Sequence, residues 1–146
     1  MMTTPVMQVE AVYQEFAADF RKLDAGAVMS LFVHDDSVFV FDVAGPQRAY
    51  VGWDAYLKDL KRFFGALKAP IQFTVHDLHV TVSGDVAYTH VTEEVRGEMK
   101  SGKPYHVFVR VTDVLRRVDG KWLFVQEHVS VPIDMKTGKG EFLPAP

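Results

Sequence analysis

Four polar residues, His90, Asp113, Gln126 and His128, fall where an antiparallel sheet could gather them on one face. The separators Ser101-Gly102 and Asp119-Gly120 suit two-residue hairpin loops, because Gly takes positive φ at no steric cost. Counted out from those loops, His90 lies opposite Asp113, and Asp113 lies opposite Gln126. Directly opposed Cβ atoms sit about 4.5–5.5 Å apart, so the three form a polar row across three strands. His128 shares that face, since residues two apart along a strand point the same way. An imidazole held by a carboxylate can serve as a general base near neutral pH, which makes His90 and Asp113 the candidate catalytic pair. The same row also reads as a satisfied hydrogen-bonded cluster inside a core. Tyr88, Val109, Val111, Leu115 and Phe124 surround it with the apolar wall of a small-molecule pocket. Tyr13 and Trp53 each offer an apolar ring with a polar tip that could orient a ring-containing ligand.

The same counting puts Glu93, Arg110 and Glu127 on the opposite face. An exposed cross-strand ion pair is worth only ~0–1 kcal/mol, so it says little by itself. The neighbours expected there, among them Val91, Phe108, Val114, Val125 and Val129, are too apolar for open water. A second copy of the chain is the expected cover, giving a homodimer with those three residues at its interface. His76 and His79, three apart in one strand, are expected on opposite faces and unable to share an ion. No metal site and no cofactor follow from the sequence. Gly138-Lys139-Gly140 lacks the spacing of a phosphate loop.

These side chains must be held by a sheet in the second half of the chain. Segments 71–82, 86–99, 105–118 and 122–133 are rich in Val, Thr, Phe and Tyr, and Gly-containing turns separate them. The first half carries helical periodicity instead. Val9, Tyr13, Phe16, Ala17 and Phe20 make one apolar stripe after Pro5, with a stop at Asp24-Ala25-Gly26. A short helix is expected over about 27–33, a short strand over 37–42, and a third helix over about 53–67. Three helices against one face of an antiparallel sheet make the chain α+β. It reads as a single domain over 1–134 with a loosely attached tail over 135–146.

Composition narrows the function classes. The 146 residues carry 16 Lys+Arg against 19 Asp+Glu, a net charge of −3 that lacks the basic surplus of a general nucleic-acid or anionic-membrane binder. With no cysteine, thiolate metal sites and Cys nucleophiles are excluded. No stretch reaches the roughly 18 apolar residues of a membrane span. The first ten residues lack a leader pattern, so a cytoplasmic protein is expected.

Arg110-Val-Thr-Asp-Val-Leu-Arg-Arg-Val-Asp-Gly-Lys-Trp122, followed by His128-Val-Ser130-Val-Pro132, resembles the C-terminal signature of SnoaL-like domains. Ser83-Gly-Asp-Val-Ala87, Phe32, Asp35-Asp36, Phe39 and Gly52 fit the same pattern. The resemblance spans roughly Val9 to Pro132 and reaches the nuclear transport factor 2-like superfamily, which includes ketosteroid isomerase, scytalone dehydratase and a kinase association domain. It implies a cone, or α+β roll, in which a bent sheet wraps the long first helix and leaves a pocket open at one end. The activity implied is that of a cofactor-independent cyclase, isomerase or dehydratase working by proton transfer on a small apolar ligand. The alternative is a non-catalytic ligand-binding or oligomerisation domain. Ketosteroid isomerase uses a carboxylate base with a Tyr and a protonated Asp as donors. Tyr13 is the only Tyr of that type expected here, and no pocket carboxylate is expected beside Asp113. That departure argues against the isomerase reaction.

Overall fold

The computed structural model describes residues 2–46 and 48–144. Helix α1 (Pro5–Arg21) starts where Thr4 caps it by accepting the Met7 N–H at 3.1 Å, with Pro5 in the first turn. Its stripe of Val9, Tyr13, Phe16, Ala17 and Phe20 is buried, as the spacing predicts. Asp24 accepts the Ala27 N–H and opens α2 (Ala25–Met29), so this short helix begins two residues before the expected one. Strands β1 (Phe39–Phe41) and β2 (Tyr50–Val51) precede α3 (Trp53–Gly65). Gly52 turns the chain into α3 with φ +93°, a conformation that penalises any Cβ.

Four long strands follow: β3 (Gln72–Ser83), β4 (Val86–Glu98), β5 (Pro104–Val118) and β6 (Lys121–Ser130). The sheet order is β2-β1-β6-β5-β4-β3. The long strands pair antiparallel, as expected, whereas β1 runs parallel to β6 with Phe39 opposite Gln126. The helices pack on one face, and the core lies between them and the inner side of the sheet. Phe124 sits at its centre with ring centroids 5.1–5.7 Å from Phe32, Tyr13 and Phe16. Among the described residues no helix is long and apolar enough to cross a membrane.

Two register differences decide which side chains face inward. Lys100, Ser101 and Gly102 form a three-residue loop, closed by Gly102 N–H to Met99 O at 2.8 Å and Met99 N–H to Lys103 O at 2.9 Å. A turn followed by a left-handed Gly is the standard three-residue hairpin, and Gly102 has φ +89°. The expected two-residue loop is thus one residue too short. Thr89, not His90, pairs with Asp113, and His90 pairs with Thr112. The Asp119-Gly120 loop does have two residues, with Val118 opposite Lys121. The ladder then slips: Leu115 pairs with Phe124, yet Val114 pairs with Gln126, a β-bulge at Val125. A third irregularity, with Asp77 at φ +54°, lies between His76 and His79. Those two histidines therefore share the outer face instead of lying on opposite ones.

The tail is also held more firmly than expected. Ile133 bridges Gly140, and Phe108 N–H donates to Phe142 O at 2.6 Å. Residues 145–146 lie outside the described residues.

Candidate active site

The inner face gathers carboxyls. Along β1, Val38 and Val40 are fully buried and point inward, and Asp42 continues that alternation into the mouth of a cavity. Glu93 on β4, Asp113 on β5 and Glu127 on β6 are 8%, 2% and 5% exposed. Asp42, Glu93 and Glu127 line a cavity of about 90 Å³, walled by Phe16, Phe20, Tyr56, Phe63, Phe73 and Tyr105. Among the described residues no Lys, Arg or His lines it.

Behind this cavity a hydrogen-bonded chain crosses the core. The Tyr13 hydroxyl donates to Asp113 Oδ2 at 2.5 Å and lies 2.5 Å from Thr89 Oγ1, which is left as the donor to it. Asp113 Oδ1 is buried with no other donor, and Glu127 is the carboxyl interacting with it. A proton held by Glu127 satisfies that oxygen, so the two carboxyls share one proton. The Tyr56 hydroxyl in turn donates to Glu127 Oε1 at 3.1 Å. The chain Thr89–Tyr13–Asp113–Glu127–Tyr56 joins α1, three strands and α3.

Burial raises the proton affinity of every one of these groups, because the charged form loses its water. Glu93 lies well above the ordinary carboxyl range through burial, then through the charges of Glu127 and Asp42. Glu127 is raised by burial and then by Asp113. Asp113 is raised by burial and Glu93, an effect the Tyr13 hydrogen bond opposes. Asp42, closer to the mouth, is pushed up to about 6, chiefly by burial, while the Val43 N–H at 2.7 Å supports its charged form. Burial and Asp113 also drive the Tyr13 hydroxyl far upward, so it acts only as a neutral donor. At neutral pH the site combines one accessible carboxylate, Asp42, with a protonated Glu93 and an Asp113–Glu127 pair that holds one proton.

The expected row of His90, Asp113, Gln126 and His128 does not form. Asp113 and Tyr13 face inward and meet each other. His90, Gln126 and His128 are exposed on the outer face, and Tyr88 beside them is 56% exposed. Trp53 donates its indole N–H to Met29 O at 2.8 Å and stacks on His34 at 3.7 Å, away from the cavity. Of the trio expected outside, only Arg110 is there; Glu93 and Glu127 are inside. The expectation that no second carboxyl accompanies Asp113 is overturned by the same slips. Asp42, Tyr56 and Tyr105 were missed altogether, although alternation with Val38 and Val40 points to Asp42.

The outer face holds five of the six histidines. His79 stacks on His90 at 4.7 Å, and both border an open groove of about 460 Å³ with Arg110 and His128. Glu94 accepts from His76 at 3.0 Å and from His106 at 2.8 Å. Among the described residues no three His, Asp or Glu side chains are grouped so as to hold a metal ion.

A direct test of the internal chain is Tyr13→Phe. It strips the donor from Asp113 Oδ2 and the acceptor from Thr89 in a dry setting, so it should cost about 1–3 kcal/mol. Urea unfolding would read this, and an unchanged midpoint would show that the chain carries no stability.

Residues 9–134 match the family model of the SnoaL-like domain. No curated protein matches the sequence significantly. Among solved structures, an NTF2-like protein of unknown function from Pseudomonas putida KT2440 is similar, with 25% identity and a TM-score of 0.85 over 100% of this chain and 99% of that one. A protein provisionally described as a dehydratase of the NTF2-like family, from Streptomyces avermitilis, has 23% identity and a TM-score of 0.73 over 86% and 94%. A ketosteroid isomerase-like protein from Erwinia carotovora atroseptica has 19% identity and a TM-score of 0.73 over 88% and 97%.

Proposed function

Because the chain belongs to the SnoaL-like domain family, we propose that its cone cavity catalyses proton transfer on a small carbonyl compound, as an isomerase or dehydratase without a cofactor. The observation that supports this most is the pairing of one ionisable carboxylate, Asp42, with neutral Glu93 and Glu127 around one apolar cavity. Carboxyls whose environments separate their proton affinities are the usual basis for dividing acid and base roles. Asp42 takes a proton from the carbon next to the carbonyl. Glu93 donates a hydrogen bond to the oxygen on which negative charge develops, while Glu127, its proton held against Asp113 and its Oε1 accepting from Tyr56, forms the uncharged wall beside it. Returning the proton to another carbon completes an isomerisation, while protonating a β-hydroxyl completes a loss of water. The names of the solved dehydratase and isomerase-like neighbours agree with this chemistry.

The test is proton–deuterium exchange followed by NMR in D₂O, using butan-2-one and aminoacetone with 4-hydroxybutan-2-one as a dehydration probe. Exchange or dehydration faster than with Asp42→Asn protein supports the reading. No acceleration on any probe would remove it and leave a ligand-binding domain.

A homodimer through the outer sheet face is the second part of the proposal. That face exposes Tyr88 at 56%, Val86 at 44% and Phe41 at 43%, with Arg110 as a cation beside uncharged Thr92, Thr112 and Ser130. Sedimentation at micromolar concentration should give twice the 16.5 kDa chain mass. A monomer would refute it.

A further inference from the structure

We infer that the ligand of the cone cavity carries a compact organic ammonium group, seated against Glu93 and ringed by aromatic side chains. This rests on the reading of the cavity as the substrate site and adds a charge class to it; an ammonium seated on Glu93 displaces its proton, so Glu93 donates a hydrogen bond only to neutral carbonyl ligands. The first observation is Glu93 itself. Its carboxyl is 8% exposed, lines the cavity, and receives no hydrogen bond or ion pair from the described residues. A carboxylate so placed costs several kcal/mol unless a proton or a cation neutralises it. In the empty cavity a proton does this; among the described residues the wall supplies neither Lys, Arg nor His, so a cation that takes the proton's place comes from a ligand.

The second observation is the wall. Phe16, Phe20, Phe63, Phe73, Tyr56 and Tyr105 border the same space, with Phe20 and Phe73 centroids 4.6 Å apart and Phe63 and Tyr105 5.7 Å apart. Ring faces attract cations through their quadrupole, and aromatic cages recognise quaternary ammonium by this means. Carboxyl plus aromatic cage is therefore a cation receptor in both of its parts. The third observation is size. About 90 Å³ is less than the ~150 Å³ apolar cavity that admits benzene. The space is open at one side, so a trimethylammonium head, about as bulky as benzene, sits partly in the mouth beside Asp42, Val43 and Tyr105, where any longer part leaves.

Proton linkage gives the inference a signature. The titratable groups around the cation are Asp42 after β1, Glu93 on β4, Asp113 and Tyr105 on β5, Glu127 on β6, Tyr13 on α1 and Tyr56 on α3. Burial raises the proton affinity of all of them: Asp42, at about 6, is charged at neutral pH, the Asp113–Glu127 pair holds one proton, and the others are neutral. A bound cation favours their charged forms, so binding must release protons and strengthen as pH rises. A neutral carbonyl ligand, which needs protonated donors, would bind with the opposite pH dependence.

The probe is choline, compared with its neutral isostere 3,3-dimethylbutan-1-ol by titration calorimetry in two buffers of different ionisation enthalpy. Choline should bind at least tenfold more tightly than the isostere, gain about tenfold in affinity between pH 5 and pH 8, and release protons. Glu93→Gln should weaken choline at least tenfold, and Asp42→Asn should weaken it as an independent check. His90→Gln, on the outer face, should leave it unchanged. Equal affinity for the isostere, affinity that falls with pH, or no saturable choline binding would each overturn the inference. Exclusion of choline with retained exchange on butan-2-one removes the cation but keeps proton transfer. Choline binding with no exchange on either ketone keeps the cation and removes catalysis.

Discussion

The melting temperature falls as pH is raised from 5 to 8. Most soluble domains gain stability on leaving acid, because their carboxyls are paired in the native state and ionise more easily there. Here the key carboxyls are buried without cations, so their native proton affinity exceeds the unfolded one. Between the two values the folded chain holds more protons than the unfolded chain, and rising pH then drives unfolding. For Asp42 the rise from 3.8 to about 6 corresponds to about 3 kcal/mol, present below pH 4 and lost as pH climbs through 6. Glu93, Asp113 and Glu127 act in the same direction at higher pH. Glu94 acts oppositely, because hydrogen bonds from His76 and His106 hold it low, and its contribution is lost only below its ordinary range. About 1.4 kcal/mol of that is lost between pH 5 and pH 8, and at roughly 2–4 °C per kcal/mol for a chain of about this size this part of the Asp42 share amounts to about 3–6 °C. Calorimetry from pH 5 to pH 8 would read it, with Asp42→Asn flattening the acid part of the slope. A flat or rising profile would show that the cluster is not held protonated.

Replacing Asp42 by Asn removes the base of the proposed reaction while leaving its shape. Base removal typically costs 10²–10⁴-fold in rate. The rate of ketone exchange in the native protein should climb with pH through about 6, where Asp42 ionises, and decline at higher pH as Glu93 loses the proton it donates. Asp42→Asn should abolish the climb as well as the rate. Exchange that persists within threefold, with the acid limb intact, would assign the base to another group.

The helical stripe of α1, the four long strands and the inward side of β5 were legible because burial on one face writes a period into the residues. Val109, Val111, Asp113 and Leu115 alternate inward as read. What was not legible is where the period restarts. Ser101-Gly102 looks the same whether the loop holds two residues or three, since Gly102 takes positive φ in either. Phe124-Val125-Gln126 carries no residue that announces a bulge. These two slips moved His90, Gln126 and His128 outward and brought Glu93 and Glu127 inward. The chemistry expected from an imidazole and a carboxylate became that of a carboxyl cluster.

The bulge at Val125 also bears on how such cones diverge. Positions before it and after it obey opposite parities, so it acts as a switch between the strand's order and the surfaces its residues reach. One residue gained or lost there would exchange Glu127 for a neighbour such as His128 while most of the backbone ladder survives. A lineage can thus replace the wall of its cavity in a single event, without inventing a strand or a helix. Wide variation in pocket chemistry over one shared architecture is the natural result of a sheet that tolerates irregularity beside its cavity.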